Sequence, residues 1–333
     1  MIKTSPKVTV LVPSYNHGRY IRSRIRSILD QTHSNFELIV IDDCSEDDSH
    51  SVISELQSEF GFKYLRNEQN SGSPFTAWEQ ICNLATGDYI WICESDDIAE
   101  PQFLETAVSQ LSMSPKASMF YCNSHITDEN DRLIGHTEDY FHDIWEESRW
   151  DNDFTANGID ELVQFQLRGQ TVPNMSSAVF DSRAFRAAYS PFLKRLQLTG
   201  DWLFVGEVMK HGEVLFCNKT LSRFRKHLVT SRVRVKSARS QAEFILTKYR
   251  LFKSSGRPVS EFVSLMKTDV LRFLYEPARW HEVMTSLFKV SIIDAFRFAI
   301  LLSVSVGLHP NYIKKFVKRF KHAKNWSIIN QPN

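Results

Sequence analysis

The chain has 333 residues, 42% hydrophobic and 24% charged, with a formal net charge of +1. That is the composition of a folded globular protein, long enough for one large domain with or without an appendage, and it lacks the basic field that nucleic acid calls for. The five cysteines, Cys44, Cys82, Cys93, Cys122 and Cys217, are scattered without a CxxC pair, which argues against a zinc site or a disulfide framework and for buried thiols in a reducing compartment.

Val8 to Val12 is a β-branched run closed by Pro13, so a first strand; it is too short for the apolar core of a signal peptide. Pro13 to Gly18 is turn chemistry. Ile21, Ile25, Ile28 and Leu29 then lie on one face of a helix, and Arg22, Arg24 and Arg26 read as its solvated face. Phe36 to Ile41 is a second strand, ending in Asp42-Asp43-Cys44-Ser45-Glu46-Asp47-Asp48. Some of these acids suit a cap for the helix that carries Val52, Ile53 and Leu56. Phe62 to Leu65 is a short strand, Asn67 to Ser73 a polar loop, and Pro74 opens a helix with Phe75, Trp78 and Ile81 inward. Tyr89 to Cys93 is a fourth buried strand that stops at Glu94-Ser95-Asp96-Asp97.

Three carboxylates in four residues at the end of a buried strand repel one another and are costly to desolvate. A hard divalent cation, Mg²⁺ or Mn²⁺, is the simplest compensation, bridging one or two carboxylates to substrate phosphates. Strand–helix alternation with short connections predicts a parallel α/β sheet, in which ligands bind beyond the carboxyl ends of the strands. Those ends carry Pro13 to Asn16, Asp42 with Asp43, and Glu94 to Asp97. No G-x-G-x-x-G follows the first strand and there is no Walker A sequence, so dinucleotide oxidoreduction and P-loop hydrolysis fit poorly.

The segments V-T-V-L-V-P-S-Y-N-H, Q-T-H-S-N-F-E-L-I-V-I-D-D-C-S, N-S-G-S-P-F-T-A-W and A-T-G-D-Y-I-W-I-C-E-S-D-D, in that order and spacing, resemble the family 2 glycosyltransferases of GT-A fold. The resemblance covers roughly residues 6 to 230. It implies a Rossmann-like α/β domain with a mostly parallel central sheet flanked by helices, over 1–232, with a nucleotide-sugar half (1–122) and an acceptor half (123–232). A helical C-terminal appendage would follow over 233–333. The implied reaction moves a sugar with inversion from a nucleotide-diphosphate donor, usually a UDP-sugar, to an acceptor hydroxyl on a glycan or lipid-linked glycan, with a divalent metal. By the same resemblance Pro13 and Tyr15 line the nucleotide pocket, Asp43 receives the base, Asp42 supports it, and Ser71 to Ser73 lie near the nucleotide. Asp96 contacts ribose or sugar and Asp97 the metal. Glu94 stands where the family usually has Asp. His227 would sit by the metal or diphosphate, and Arg225 beside the phosphates.

Phe103, Leu104, Ala107, Val108 and Leu111 form a helix stripe and Ser118 to Cys122 a strand. Residues 123 to 168, with Trp145 and Trp150, read as a long connection, an acceptor lid or simple aromatic packing. Thr171 to Phe180 resembles the strand beneath the family's acceptor site. Asp201 opens a helix where it could merely cap. The resemblance makes it the catalytic base instead, the second member of an E-D pair whose first position is Gly200. In the tail, breaks fall near Gly256-Arg257-Pro258 and Glu276-Pro277, and Val290 to Leu308 is very apolar but holds Asp294 and Arg297. Residues 310–324 alternate Tyr312, Ile313, Phe316, Val317 and Phe320 with lysines and Arg319. That pattern gives an amphipathic basic helix suited to an anionic bilayer surface or to the protein core. No apolar stretch has spanning length. Because the resembled enzyme class often acts on lipid-linked acceptors, the resemblance implies an enzyme peripheral to the cytoplasmic face of a bacterial inner membrane, in polysaccharide or lipopolysaccharide assembly. A sugar nucleotidyltransferase and an inactive nucleotide-sugar-binding module are the alternatives. The first lacks its basic phosphate loop near residue 15, and Asp43, Asp96, Asp97, Asp201 and His227 together count against the second.

Overall fold

A computed structural model describes residues 5–145, 148–227, 237–258, 261, 277–295 and 297–298. The chain divides into two compact units, Met1–Val235 and Lys236–Asn333.

In the first unit, strands β1 (Val8–Ser14), β2 (Phe36–Asp42), β3 (Lys63–Arg66) and β4 (Tyr89–Ile92) pair in parallel in the order β3-β2-β1-β4. The helices α1 (Gly18–Leu29), α2 (Ser49–Phe60) and α3 (Phe75–Leu84) cross between them. Ile21, Ile25 and Ile28 of α1 and Ile53 and Leu56 of α2 are fully buried against Val10, Val12 and Val40, as the apolar spacing predicts. Gly61 ends α2 in the left-handed region at φ 73°, where glycine meets no steric penalty.

After β5 (Ile98–Ala99) and α4 (Phe103–Met113), the sheet continues through β6 (Ala117–Thr127) and the short antiparallel β7 (Leu133–His136). Next in the chain are α5 (Thr137–Trp145), β8 (Phe154–Asn157), α6 (Gly158–Glu161), β9 (Ala178–Asp181), α7 (Ser182–Ala188), α8 (Gly200–Met209) and β10 (Glu213–Arg225). Strand β9 inserts antiparallel between β4 and β6, and β10 runs parallel to β6, so the described order is β3-β2-β1-β4-β9-β6-β10-β5.

Two local readings need correction. Arg24 is not on a solvated face: it is 0% exposed, whereas Arg22 pairs with Glu55 at 2.6 Å and Arg26 is exposed. α1 buries a wider arc than its isoleucine stripe, and the Arg24 guanidinium lies over the Trp91 ring. Residues 123 to 168 are mostly regular structure rather than a long connection. Trp150 is 1% exposed, stacks on Phe141 at 4.8 Å and donates to the Tyr121 hydroxyl at 2.9 Å. Its aromaticity serves packing. The Trp145 side chain lies outside the described residues.

The second unit contains helices Ser237–Ser254 and Pro277–Val290. Gly256 at φ 73° follows the first, at one expected break; Glu276, at the other, lies outside the described residues. Asp294, the acid within the apolar run, is buried with Arg250 and the Ser291 hydroxyl as partners. No described helix is long and apolar enough to cross a membrane. The amphipathic segment 310–324 lies outside the described residues.

Candidate active site

The parallel register brings the carboxyl ends of β1, β2 and β4 to one edge. Ser14 stands opposite Asp42, and Asp42 opposite Arg66. Pro13 is buried as the penultimate residue of β1, and Tyr15 emerges beyond it at 41% exposure. Asn16, at φ 55°, turns the chain; its side chain accepts from the Glu46 amide at 2.8 Å. Asn tolerates this left-handed region better than most residues.

The adjacent acids Asp42 and Asp43 face different partners. Asp42 is buried and accepts from the Ser45 amide and hydroxyl, from Arg66 Nε at 3.1 Å and from Tyr64. Asp43 is half-buried and holds the following loop. It accepts from the Ser71 amide at 3.0 Å, the Ser71 hydroxyl at 2.8 Å and Asn67 Nδ2 at 2.6 Å. Its own amide donates to the Ser14 carbonyl at 2.8 Å, which fastens the end of β2 to β1. Ser73, two residues beyond Ser71, is 9% exposed, and its Oγ has no hydrogen-bond partner.

Beyond β4, the acidic run is crowded and poorly solvated. Burial pushes the Glu94 carboxyl up to about 8, and the fields of Asp96, Asp97 and Asp201 add to the rise. Asp97 is 2% exposed and is pushed up to about 7 by burial and by Asp96, which Arg24, Ser176 and the Arg225 amide only partly oppose. Its Oδ1 accepts from the Arg225 amide at 2.9 Å, and its Oδ2 has no hydrogen-bond partner. Asp96 is the exception. Burial works against its charge too, but the hydrogen bond from His227 and the fields of His17 and His227 hold it below the usual carboxylate range.

The segment after β10 closes over these acids. His227 Nε2 lies 2.8 Å from Asp96 Oδ2. Arg225 is 4% exposed, and its guanidinium donates to the Asp96 carbonyl at 2.8 Å, the Asp128 carbonyl at 3.1 Å and Asp131 at 2.5 Å. Every guanidinium nitrogen is therefore engaged within the chain, tying the acidic run to the β6–β7 turn. Asp201 sits in the first turn of α8, where its Oδ1 accepts from the Trp202 amide at 2.7 Å. Its charge is the smallest of the three that add to the rise at Glu94. The preceding Gly200 has a packing cause: a Cβ there would stand 2.2 Å from the Phe75 ring.

Several neighbours of the site carry no motif of their own. The Ser176 hydroxyl accepts from the Glu94 amide at 3.0 Å, and its carbonyl accepts from Trp91 Nε1 at 2.9 Å. It belongs to a 3₁₀ turn, Met175–Ser177, ahead of β9; the strand expected over Thr171 to Phe180 begins only at Ala178. His17 Nδ1 lies 2.5 Å from the Ser95 hydroxyl, and Tyr20 packs 5.1 Å from the His227 ring. Asn16-His17 in the turn after a first strand was the available signal for His17; Ser176 had none.

A divalent ion suits this donor set. Asp97 Oδ2 is an orphaned buried carboxylate oxygen, and hard cations seek oxygen. Among the described residues no three His, Cys, Asp or Glu side chains form a preformed shell. An ion held by one or two carboxylates and completed by substrate phosphates needs none.

Residues 9–172 match the family model described as glycosyl transferase family 2. An uncharacterized glycosyltransferase from Nostoc sp. is 32% identical over 131 residues, 38% of this chain and 39% of that protein. TarS of Staphylococcus aureus (strain Mu50), a poly(ribitol-phosphate) β-N-acetylglucosaminyltransferase, is 30% identical over 105 residues, 31% of this chain and 18% of its own length. The chain thus spans less than half the length of these relatives. The crystal structure of S. aureus TarS 1–349 with UDP-GlcNAc superposes with a TM-score of 0.62 at 16% identity, covering 86% of this chain and 82% of that one. A Pyrobaculum calidifontis mannosyltransferase with GDP-Man and Mn²⁺ gives 0.56 at 14% identity, covering 98% and 84%. The fold is GT-A, and residues 9–172, just under half of the chain, match glycosyl transferase family 2.

Proposed function

We propose that the protein is a metal-dependent, inverting glycosyltransferase that moves a sugar from a UDP-sugar to an acceptor hydroxyl in bacterial surface-polysaccharide or lipopolysaccharide assembly. One relation supports the reading: the carboxyls of Asp96 and Asp97 after β4 and of Asp201 at the start of α8 all add to the rise at Glu94. A single displacement asks for one carboxylate at the acceptor hydroxyl and others on the side of the departing diphosphate. Pro13, Tyr15, Asp43 and the Ser71–Ser73 loop flank the same strand edge and suit a nucleoside. The named relatives support a nucleotide-sugar donor and a polymeric, hydroxyl-bearing acceptor such as poly(ribitol-phosphate).

Asp97, with Asp96 and His227 beside it, would hold a Mn²⁺ or Mg²⁺ ion, which supplies neutralisation of charge on the departing diphosphate. Asp201 accepts the proton of the acceptor hydroxyl as that oxygen bonds to the anomeric carbon; the bond from that carbon to the diphosphate oxygen breaks on the opposite face. Asp96, held ionised by His227, is placed for a ribose or sugar hydroxyl. Arg225 holds the acidic run in place. Contact of 310–324 with an anionic membrane is part of the proposal and rests on its amphipathic sequence.

The test is UDP release from UDP-sugars with and without Mn²⁺, alongside UDP binding. Asp201→Asn is expected to bind UDP as wild type does and to lose transfer about 10³-fold, in the range for a general base. Asp97→Ala is expected to lose UDP–Mn²⁺ binding. Equal loss of binding in both variants would contradict the assigned roles.

A further inference from the structure

Arg24 is 0% exposed; none of its three guanidinium nitrogens meets an oxygen or nitrogen acceptor, and the polar group beside it is the buried Cys93 thiol. A buried cation in that state is strongly disfavoured unless opposite charge compensates. The Trp91 ring, 5.1 Å from its ζ carbon, offers partial relief through its π face. Trp91 lies on β4 just before the acidic run, and the guanidinium charge acts on Cys93, Glu94 and Asp97. Asp97 Oδ2 is likewise buried and without a hydrogen-bond partner. The next turn of α1 meets the segment just after Asp97, where the Ser27 hydroxyl accepts from the Ala99 amide at 3.4 Å, so Arg24 and Asp97 lie at the same end of β4, both buried. Arg225 does not fill this role, because its guanidinium is spent on Asp131 and two carbonyls.

We propose that Arg24 is a positioning residue of the donor site: a permanent internal cation that balances the acidic floor in the absence of a divalent ion and opposes that ion's charge when it binds. The inference rests on the metal reading above. It makes the affinity for the ion a compromise. The acids attract Mn²⁺, and the fixed positive charge beneath them restrains that attraction, so that tight capture awaits the phosphates of the nucleotide. A side chain that merely fills space would have no such effect.

The experiment titrates MnCl₂ into the full-length protein with UDP present, read as UDP binding by calorimetry and as the rise in unfolding midpoint. It is run at about pH 9, where carboxylates are ionised. Arg24→Met is expected to lower the half-saturating Mn²⁺ concentration about tenfold, the scale of a charge interaction across a protein interior, and to enlarge the Mn²⁺–UDP midpoint shift. Arg24→Lys, which keeps the charge, is expected to stay near wild type. Should the Met variant not fold, Arg24→Gln carries the same expectation. A neutral variant that needs as much Mn²⁺ as wild type, or more, overturns the inference, as does a Lys variant that behaves like the neutral one. Wild-type UDP binding indifferent to Mn²⁺ would instead overturn the metal reading on which the inference stands.

Discussion

His227 Nε2 stands 2.8 Å from Asp96 Oδ2 across a separation of 131 residues. That contact joins the segment after β10 to the segment after β4, and it leaves Asp96 ionised while its neighbours Glu94 and Asp97 are pushed toward protonation. Because the pair acts as a unit, removing either partner should remove most of what both contribute. Asp96→Asn and His227→Ala are each expected to weaken UDP–Mn²⁺ binding, and the double variant to be little worse than the poorer single one. The cycle, measured by titration calorimetry, should give a coupling of about 1–3 kcal/mol. Additive losses would mean that the two side chains act separately.

The raised carboxylates give the metal-free protein a defined pH signature. A group whose folded-state pKa is raised holds its proton longer in the fold than in the unfolded chain. The folded state then binds more protons between the two values, and stability falls as pH rises through that window. For Glu94 the window runs from 4.5 to about 8 and for Asp97 from 3.8 to about 7. The unfolding midpoint without divalent ion is therefore expected to decline from about pH 5 to about pH 8 and to level off above that. Glu37, depressed to about 2 although burial opposes it, because Thr9, Thr86 and Lys7 bind it, acts in the opposite sense only below 4.5. Calorimetric scans across this range with chelator present would check the sign. A midpoint rising from 5 to 8 would contradict the crowded-acid description.

Much of the nucleotide half was legible because its signals are local. β-branched runs ending in Pro13, Asp42 and Glu94 mark strand ends, and parallel pairing places such ends on one edge whatever the details of the helices. What periodicity missed was set by distant partners. Arg24 lies among arginines that look like a solvated face, and only the packing of α1 on Trp91 reveals its burial. Ser176 is an ordinary serine until the fold sets it under Glu94. The segment 123 to 168 looked irregular because its elements are short and its aromatics face each other rather than following one period, as with Trp150 on Phe141.

Asp43 combines two duties that a single substitution can separate. It holds Ser71 and Asn67, and by the proposed function it also receives the nucleobase. Asp43→Asn keeps the size but loses the charge and half of the acceptor capacity. It is expected to weaken UDP binding about tenfold or more, as expected when charged hydrogen bonds worth about 1.5–3 kcal/mol are lost. Ser71→Ala, which removes one loop bond and leaves the carboxylate, should cost much less. Equal losses in the two variants would assign Asp43 to the loop alone.

Gly200 stands where the resemblance would place the first acid of an E-D pair, and the Phe75 ring explains the difference. A Cβ at this position would meet Phe75 Cζ at 2.2 Å and Cε2 at 2.4 Å, and Phe75 is itself 6% exposed, edge-on to Trp78 at 4.9 Å. The ring is packed and cannot move aside freely, so Gly200→Ala is expected to destabilise the protein by about 1–3 kcal/mol through overpacking. Phe75 follows the Ser71–Ser73 loop and Asp201 follows Gly200, so the same displacement should reach both substrate sides. UDP affinity and transfer should fall together, unlike the Asp201→Asn variant. Pairing the change with Phe75→Leu, which vacates ring volume, should recover part of the stability. Chemical denaturation of the single and double variants measures this directly. A Gly200→Ala protein as stable as wild type, or a Phe75→Leu background that gives no relief, would show that ring contact does not exclude the side chain.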